Sequence, residues 1–177
     1  MLIDFALFLL IFLAFHNSGQ LLTKIIPGLK FSGPTESVLF STAIGSLIFS
    51  GIMTVLVFSG WVYPETCWAL LGVFLVLGWE NIAYLKAPFF AAFTSPPDED
   101  SELKNMAQFF LGLLALLSIG LALAPAFSND ALAYHLAVPK AFLQAGKLIN
   151  LPNNIYSFFP QQIEMLYLFS LALSSDS

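Results

Sequence analysis

Two carboxylates stand where chemistry at a membrane surface would need them. Asp130 follows a long apolar run by three residues, and Glu164 comes four residues after Pro160 at the start of another apolar run. The segment they flank, 128–160, also holds Tyr134, His135, Lys140, Lys147 and Tyr156. A carboxylate so placed can act as general base on a hydroxyl or hold a divalent cation. Each residue also has a plain structural use. Asn129 or Asp130 can cap a following helix, and an acid at the position of Glu164 suits a helix N-terminus. Tyr134 and His135 have the character of interfacial aromatics, and Lys140 and Lys147 can snorkel or meet lipid phosphate. One His cannot build a metal site, so no metal ligands are assigned.

The segment reads as helical. Leu132, Leu136, Pro139 and Leu143 recur at near-helical spacing, and Gly146 is placed to end the helix. Pro139 either kinks that helix or opens a second one at its first position, and Pro160 suits the first turn of the next span. The expectation is an amphipathic helix lying along a membrane surface.

What would hold such a loop is set by composition. Of 177 residues, 58% are apolar and only 10% are charged, against about 25% charged in a soluble domain. The fold class expected is all-α, a multi-pass transmembrane bundle in a single domain over 1–177. Runs of about 20 apolar residues mark spans. The first is Leu2–Phe15, short unless Leu21 and Leu22 extend it. It lacks the basic start and small-residue cleavage site of a signal peptide. Val38–Trp61, Cys67–Leu85 and Met106–Phe127 follow, and a fifth run, Ile163–Leu173, is cut off at Ser177. About five spans are expected, the last truncated, as in the N-terminal piece of a longer protein. Gly45, Ser46, Ser50 and Gly51 are small residues that let membrane helices approach closely. Glu80 lies within the third run and is a functional candidate for that reason.

All six basic residues are Lys, and net charge is −5. With no basic patch, nucleic acid is not an expected partner. Cys67 is the only cysteine, which excludes a disulfide framework. If the spans alternate, Lys24, Lys30, Lys86 and Lys104 share one side, and Lys140 and Lys147 the other. The Lys-rich side is cytoplasmic by the positive-inside rule. Loop 128–160 is then extracytoplasmic.

The run Asp130-Ala-Leu-x-Tyr-His-Leu-x-x-Pro-Lys, with Gly146, Leu151-Pro152, Tyr156-Ser157-x-Phe159-Pro160 and Glu164-Met165-Leu166, resembles the first external loop of GT-C superfamily glycosyltransferases. The likeness is nearest to bacterial membrane proteins related to protein O-mannosyltransferases and aminoarabinose transferases, and covers about 40 residues. It implies an inner-membrane enzyme that takes a sugar from a polyprenyl-phosphate donor to an extracytoplasmic acceptor. Asp130 would be the catalytic base, with Tyr134, His135, Lys140, Tyr156 and Glu164 binding substrate. The implied cofactor is undefined beyond the divalent cation a carboxylate can hold. The sequence departs from the family where a second acid often follows the Asp (here Ala131) and where a Lys often precedes Pro160 (here Phe159). Lys140 or Lys147 would then have to meet the phosphate. The apolar runs before the motif also outnumber the usual single span. A contrasting expectation is a non-catalytic membrane protein whose loop binds a partner or assembles a complex. A transporter is less favoured, because no pair of broken spans carries buried polar groups.

Overall fold

The computed structural model describes residues 2–28, 31, 33–81, scattered positions within 106–117, 131–158 and 161–174. The described residues are helical, without strands. The long helices are α1 (Leu2–Ile25), α2 (Pro34–Ser59) and α3 (Pro64–Leu77). Then come a 3-10 turn (Trp79–Asn81), a π-helical turn (Ala131–His135), α4 (Ala137–Ala145), a second 3-10 turn (Ile155–Phe158) and α5 (Gln162–Leu173).

Helices α1 and α2 are each long and apolar enough to cross a bilayer. The first apolar run thus continues through His16-Asn17-Ser18-Gly19 to Ile25 as one helix of 24 residues. Helix α2 begins at Pro34, which fixes a helical φ at a position where its missing N–H goes unused. It stops at Gly60, whose φ of 76° is open to glycine at little cost. The third run is shorter than expected. Helix α3 has 14 residues, about 21 Å at 1.5 Å per residue, and ends at Leu77 before Gly78. Glu80 therefore sits in a 3-10 turn at the helix end, exposed, rather than inside a span. The described positions of the fourth run, Met106 among them, are helical and exposed. A bundle of two long apolar helices with shorter ones beside them is what the described residues form.

The core gathers on one ring. Phe49 of α2 is fully buried, and its centroid lies 4.9 Å from Phe15 of α1, 5.1 Å from Phe74 of α3 and 4.9 Å from Phe169 of α5. Four helices thus meet in tilted aromatic contacts, the geometry that ring quadrupoles favour.

Contacts fix the helix directions. Gln20 Nε2 donates to Ser37 Oγ at 2.8 Å, and Gly45 packs on the Phe15 carbonyl, so α1 and α2 are antiparallel. Asn17 Nδ2 donates to Phe74 O at 3.1 Å, and Lys24 Nζ to Asn81 Oδ1 at 2.8 Å, so α3 runs parallel to α1. Gly45 has no room for a side chain, because the Phe15 carbonyl and Ser18 Oγ occupy the space of a Cβ. Ser50 is buried as well, and its Oγ donates to Gln162 O at 2.7 Å. Gly51, by contrast, faces open space.

Segment 131–158 docks at the α2–α3 turn. Val62 N donates to Gly146 O at 3.2 Å and Leu148 N to Val57 O at 2.9 Å. Gly146 ends α4 in the left-handed region at φ 67°, as its sequence position implies. The helix itself starts at Ala137, two residues before Pro139. Its buried face is Val138, Pro139, Phe142 and Leu143, which keeps Pro139 and Leu143 of the expected stripe and adds Val138 and Phe142.

Candidate functional site

The π turn is tied to the segment that returns to α5 at three places. Asn154 Nδ2 donates to Ala133 O at 2.7 Å. The ring of Tyr134 stacks on Tyr156 with centroids 4.6 Å apart and planes 21° from parallel. His135 Nδ1 lies 2.8 Å from Glu164 Oε1. Local sequence makes these ties possible. Asn154 also accepts from the Tyr156 N–H, which shapes the 3-10 turn that presents Tyr156. Glu164 is the third residue of α5, where free backbone N–H groups favour a carboxylate.

Glu164 is only 5% exposed, whereas the His135 side chain keeps 31% of its surface. A buried carboxylate is costly unless paired, and here it has an imidazole on one side and the helix N-terminus on the other. The two groups share a hydrogen at 2.8 Å, the roles of the two ring nitrogens being set by the imidazole's tautomer and charge. The Tyr134 centroid lies 4.1 Å from the imidazole and the Tyr167 centroid 5.9 Å from it. The arrangement is a histidine held by a carboxylate, with Tyr134 and Tyr167 beside its ring and Tyr156 stacked on Tyr134.

Tyr134, His135, Tyr156 and Glu164, four residues of the expected site, are therefore neighbours. Lys140 stands on the exposed face of α4, and the contacts that define the cluster do not include it. Asp130, the expected base, lies outside the described residues, as does Phe159-Pro160; the π turn begins directly after Asp130. Asn154 and Tyr167 were not foreseen. Tyr167 has a signal in hindsight, since it follows Glu164 by three residues and must share its helix face. Asn154 has none, because its contact spans 21 residues. Among the described residues no three His, Cys, Asp or Glu side chains converge as metal ligands.

On the other side of the start of α5 is a groove of about 460 Å³. Thr54, Val57 and Phe58 of α2 form one wall, and Phe142, Leu148 and Met165 the other. Ser157 and Gln161 lie on its lining, and Gln161 Nε2 donates to Tyr156 O at 2.9 Å, linking groove and tyrosine cluster.

No protein-family model, curated protein or solved structure matches this chain.

Proposed function

We propose that this chain is the membrane-embedded part of a glycosyltransferase that moves a sugar from a polyprenyl-phosphate donor to a hydroxyl acceptor at the extracytoplasmic face of a bacterial inner membrane. Membrane embedding is supported by an inverted distribution of polarity. Ile3, Phe8, Leu47, Val55, Phe58 and Val76 are exposed on the helices, while His16, Asn17, Ser18 and Ser41 are buried between them. Water would reverse that distribution; lipid favours it. Only 28% of the apolar window of α2 is buried, far less than in the core helix of a soluble protein. Trp61, Tyr63, Tyr156 and Tyr167 are exposed at or near the end where segment 131–158 docks, as residues of a bilayer interface are.

The observation that carries the transferase reading is the anchoring of the π turn next to Asp130. In an inverting transfer the base lifts the acceptor proton as the oxygen attacks the anomeric carbon and the bond to phosphate breaks. Such a base must be held at headgroup depth, because the lipid tail keeps the donor phosphate there. Three ties, two to the return segment and one to α5, hold the turn that starts beside Asp130, and a groove of about 460 Å³ with Val57, Phe58, Phe142 and Met165 on its walls lies nearby. In this reading Asp130 is the base and Tyr134, His135, Tyr156 and Glu164 meet substrate, with membrane lipid as the surrounding solvent. Asp130→Asn in the intact gene product is expected to abolish sugar transfer from polyprenyl-phosphate donors, measured with radiolabelled sugar, while membrane insertion is unchanged. Asn caps a helix as well as Asp, so a residue that merely caps would leave transfer intact, and that result would remove Asp130 from the mechanism.

A further inference from the structure

We propose that α3 sits in a locally thinned patch of bilayer, in which the leaflet on the side of the α2–α3 turn is indented by about 6 Å so that phospholipid headgroups reach Glu65. The inference rests on the membrane embedding of α1 and α2, not on sugar transfer, and names the kind of lipid that fits around the shortest of the three helices.

The placement of charge along two neighbouring helices carries the argument. On α1 the exposed Asp4 and Lys24 bracket a stretch that holds no Asp, Glu, Lys or Arg. They stand twenty positions apart, about 30 Å at 1.5 Å each, which is the thickness of a hydrocarbon core. On α3 and the 3-10 turn after it the brackets are Glu65 and Glu80, both exposed and only fifteen positions apart, about 22 Å. The shortfall falls at one end. The hydrogen bonds Asn17–Phe74 and Lys24–Asn81 share one separation of 57 residues, so the two parallel helices keep a constant register. Glu80 is thereby level with Thr23, and the helices finish together. Glu65 is level with Phe8, four residues or about 6 Å deeper than Asp4. At that depth α1 offers lipid a phenylalanine that is 61% exposed, whereas α3 offers a carboxylate. A carboxylate among acyl chains is costly, and Glu lacks the long stem on which Lys or Arg snorkels to an interface. Bilayers yield to a short apolar helix by thinning around it. Exposed Trp61 and Tyr63 stand at this end of α3 and exposed Trp79 at the other, as residues of the two interfaces do. The indentation lies where segment 131–158 docks, since Val62 N donates to Gly146 O and the Tyr63 ring lies against Gly146.

The three tryptophans of the chain, Trp61, Trp68 and Trp79, are all exposed on or beside α3, so their fluorescence reports the lipid at this helix. The test reconstitutes the chain in phosphatidylcholine with brominated oleoyl chains and relieves the quenching with unbrominated lipid, either short (dimyristoleoyl) or long (dierucoyl). The short lipid is expected to displace the brominated one about threefold better than the long one does. Glu65→Leu extends the apolar surface of α3 and is expected to abolish that preference. Depth gives a second reading. With Trp61→Phe and Trp79→Phe, the remaining Trp68 lies one turn inside Glu65 on the same face. Bromines near the ester end of the chains should then quench it more strongly than bromines near the methyl end. Equal or reversed preference for the two lipids, a preference unchanged in Glu65→Leu, or stronger quenching of Trp68 from the methyl end would each overturn the indentation. Chain that does not float with the vesicles at all would overturn the membrane reading along with it, whereas chain that floats without the preference removes the indentation alone.

Discussion

Two regions of this molecule bury polar side chains, and they do so in opposite ways. Along the seam between α1, α2 and α3, His16, Asn17 and Ser41 are completely buried, and glycines let backbones touch. Asn17 bonds Phe74 O and Gln20 bonds Ser37, which joins one helix to another, whereas both His16 ring nitrogens, Asn17 Oδ1 and Ser41 Oγ find no hydrogen-bond partner among the described residues. At the other end, Glu164 is buried but its partner His135 keeps a face outside, and Tyr156 and Tyr167 flank it with open surface. The first region closes on itself; the second is anchored from below and open above. Burial of polar groups alone does not mark a site. A buried group that orients an exposed one does.

The seam should break most severely. Gly45→Leu drives a side chain into the Phe15 carbonyl, and overpacking of that kind costs about 3 kcal/mol or more. Loss of the folded fraction in detergent, read by size exclusion after heating, is the expected outcome, with Gly51→Leu, which faces open space, as the silent control. Equal behaviour of the two variants would mean that α1 and α2 do not touch there.

At the open end an asymmetry is expected. His135→Ala strands a buried carboxylate, at about 1–3 kcal/mol after allowance for the exposed side of the pair. Glu164→Ala leaves an imidazole that water can reach, and should cost less. Thermal unfolding of both variants reads the difference, and the reverse order would show that Glu164 is not held by His135. The smallest effect belongs to Asn17→Ala. Side-chain hydrogen bonds between membrane helices average about 0.6 kcal/mol, so a slight fall in melting temperature is expected and a collapse of the fold is not.

Much of this was legible in the residues, and the limits have physical causes. Gly146 was readable as a terminator because a helix end needs a left-handed residue, and Gly is the one that adopts it freely. Glu164 was readable as an N-terminal acid because Pro160 marks where a helix can start. The length of α3 was not, since Cys67–Leu85 is apolar enough to look like a span, whereas the chain turns at Gly78 where Asn17 fills the space beside it. Nor was the π turn at Ala131–His135, because such a turn leaves no composition signature.

By itself the sequence determined the parts: apolar runs, two of them in helices long and apolar enough to cross a bilayer, helix as the state that satisfies their backbone, and a loop rich in groups capable of chemistry. Only the tertiary structure decided which of those groups meet. His135 and Glu164 lie 29 residues apart in the chain and 2.8 Å apart in space. Nothing in local propensity specifies that distance. It follows from docking the return segment on the α2–α3 turn and from seating the start of α5 beside Ser50, long-range contacts that a linear pattern of hydrophobicity does not encode.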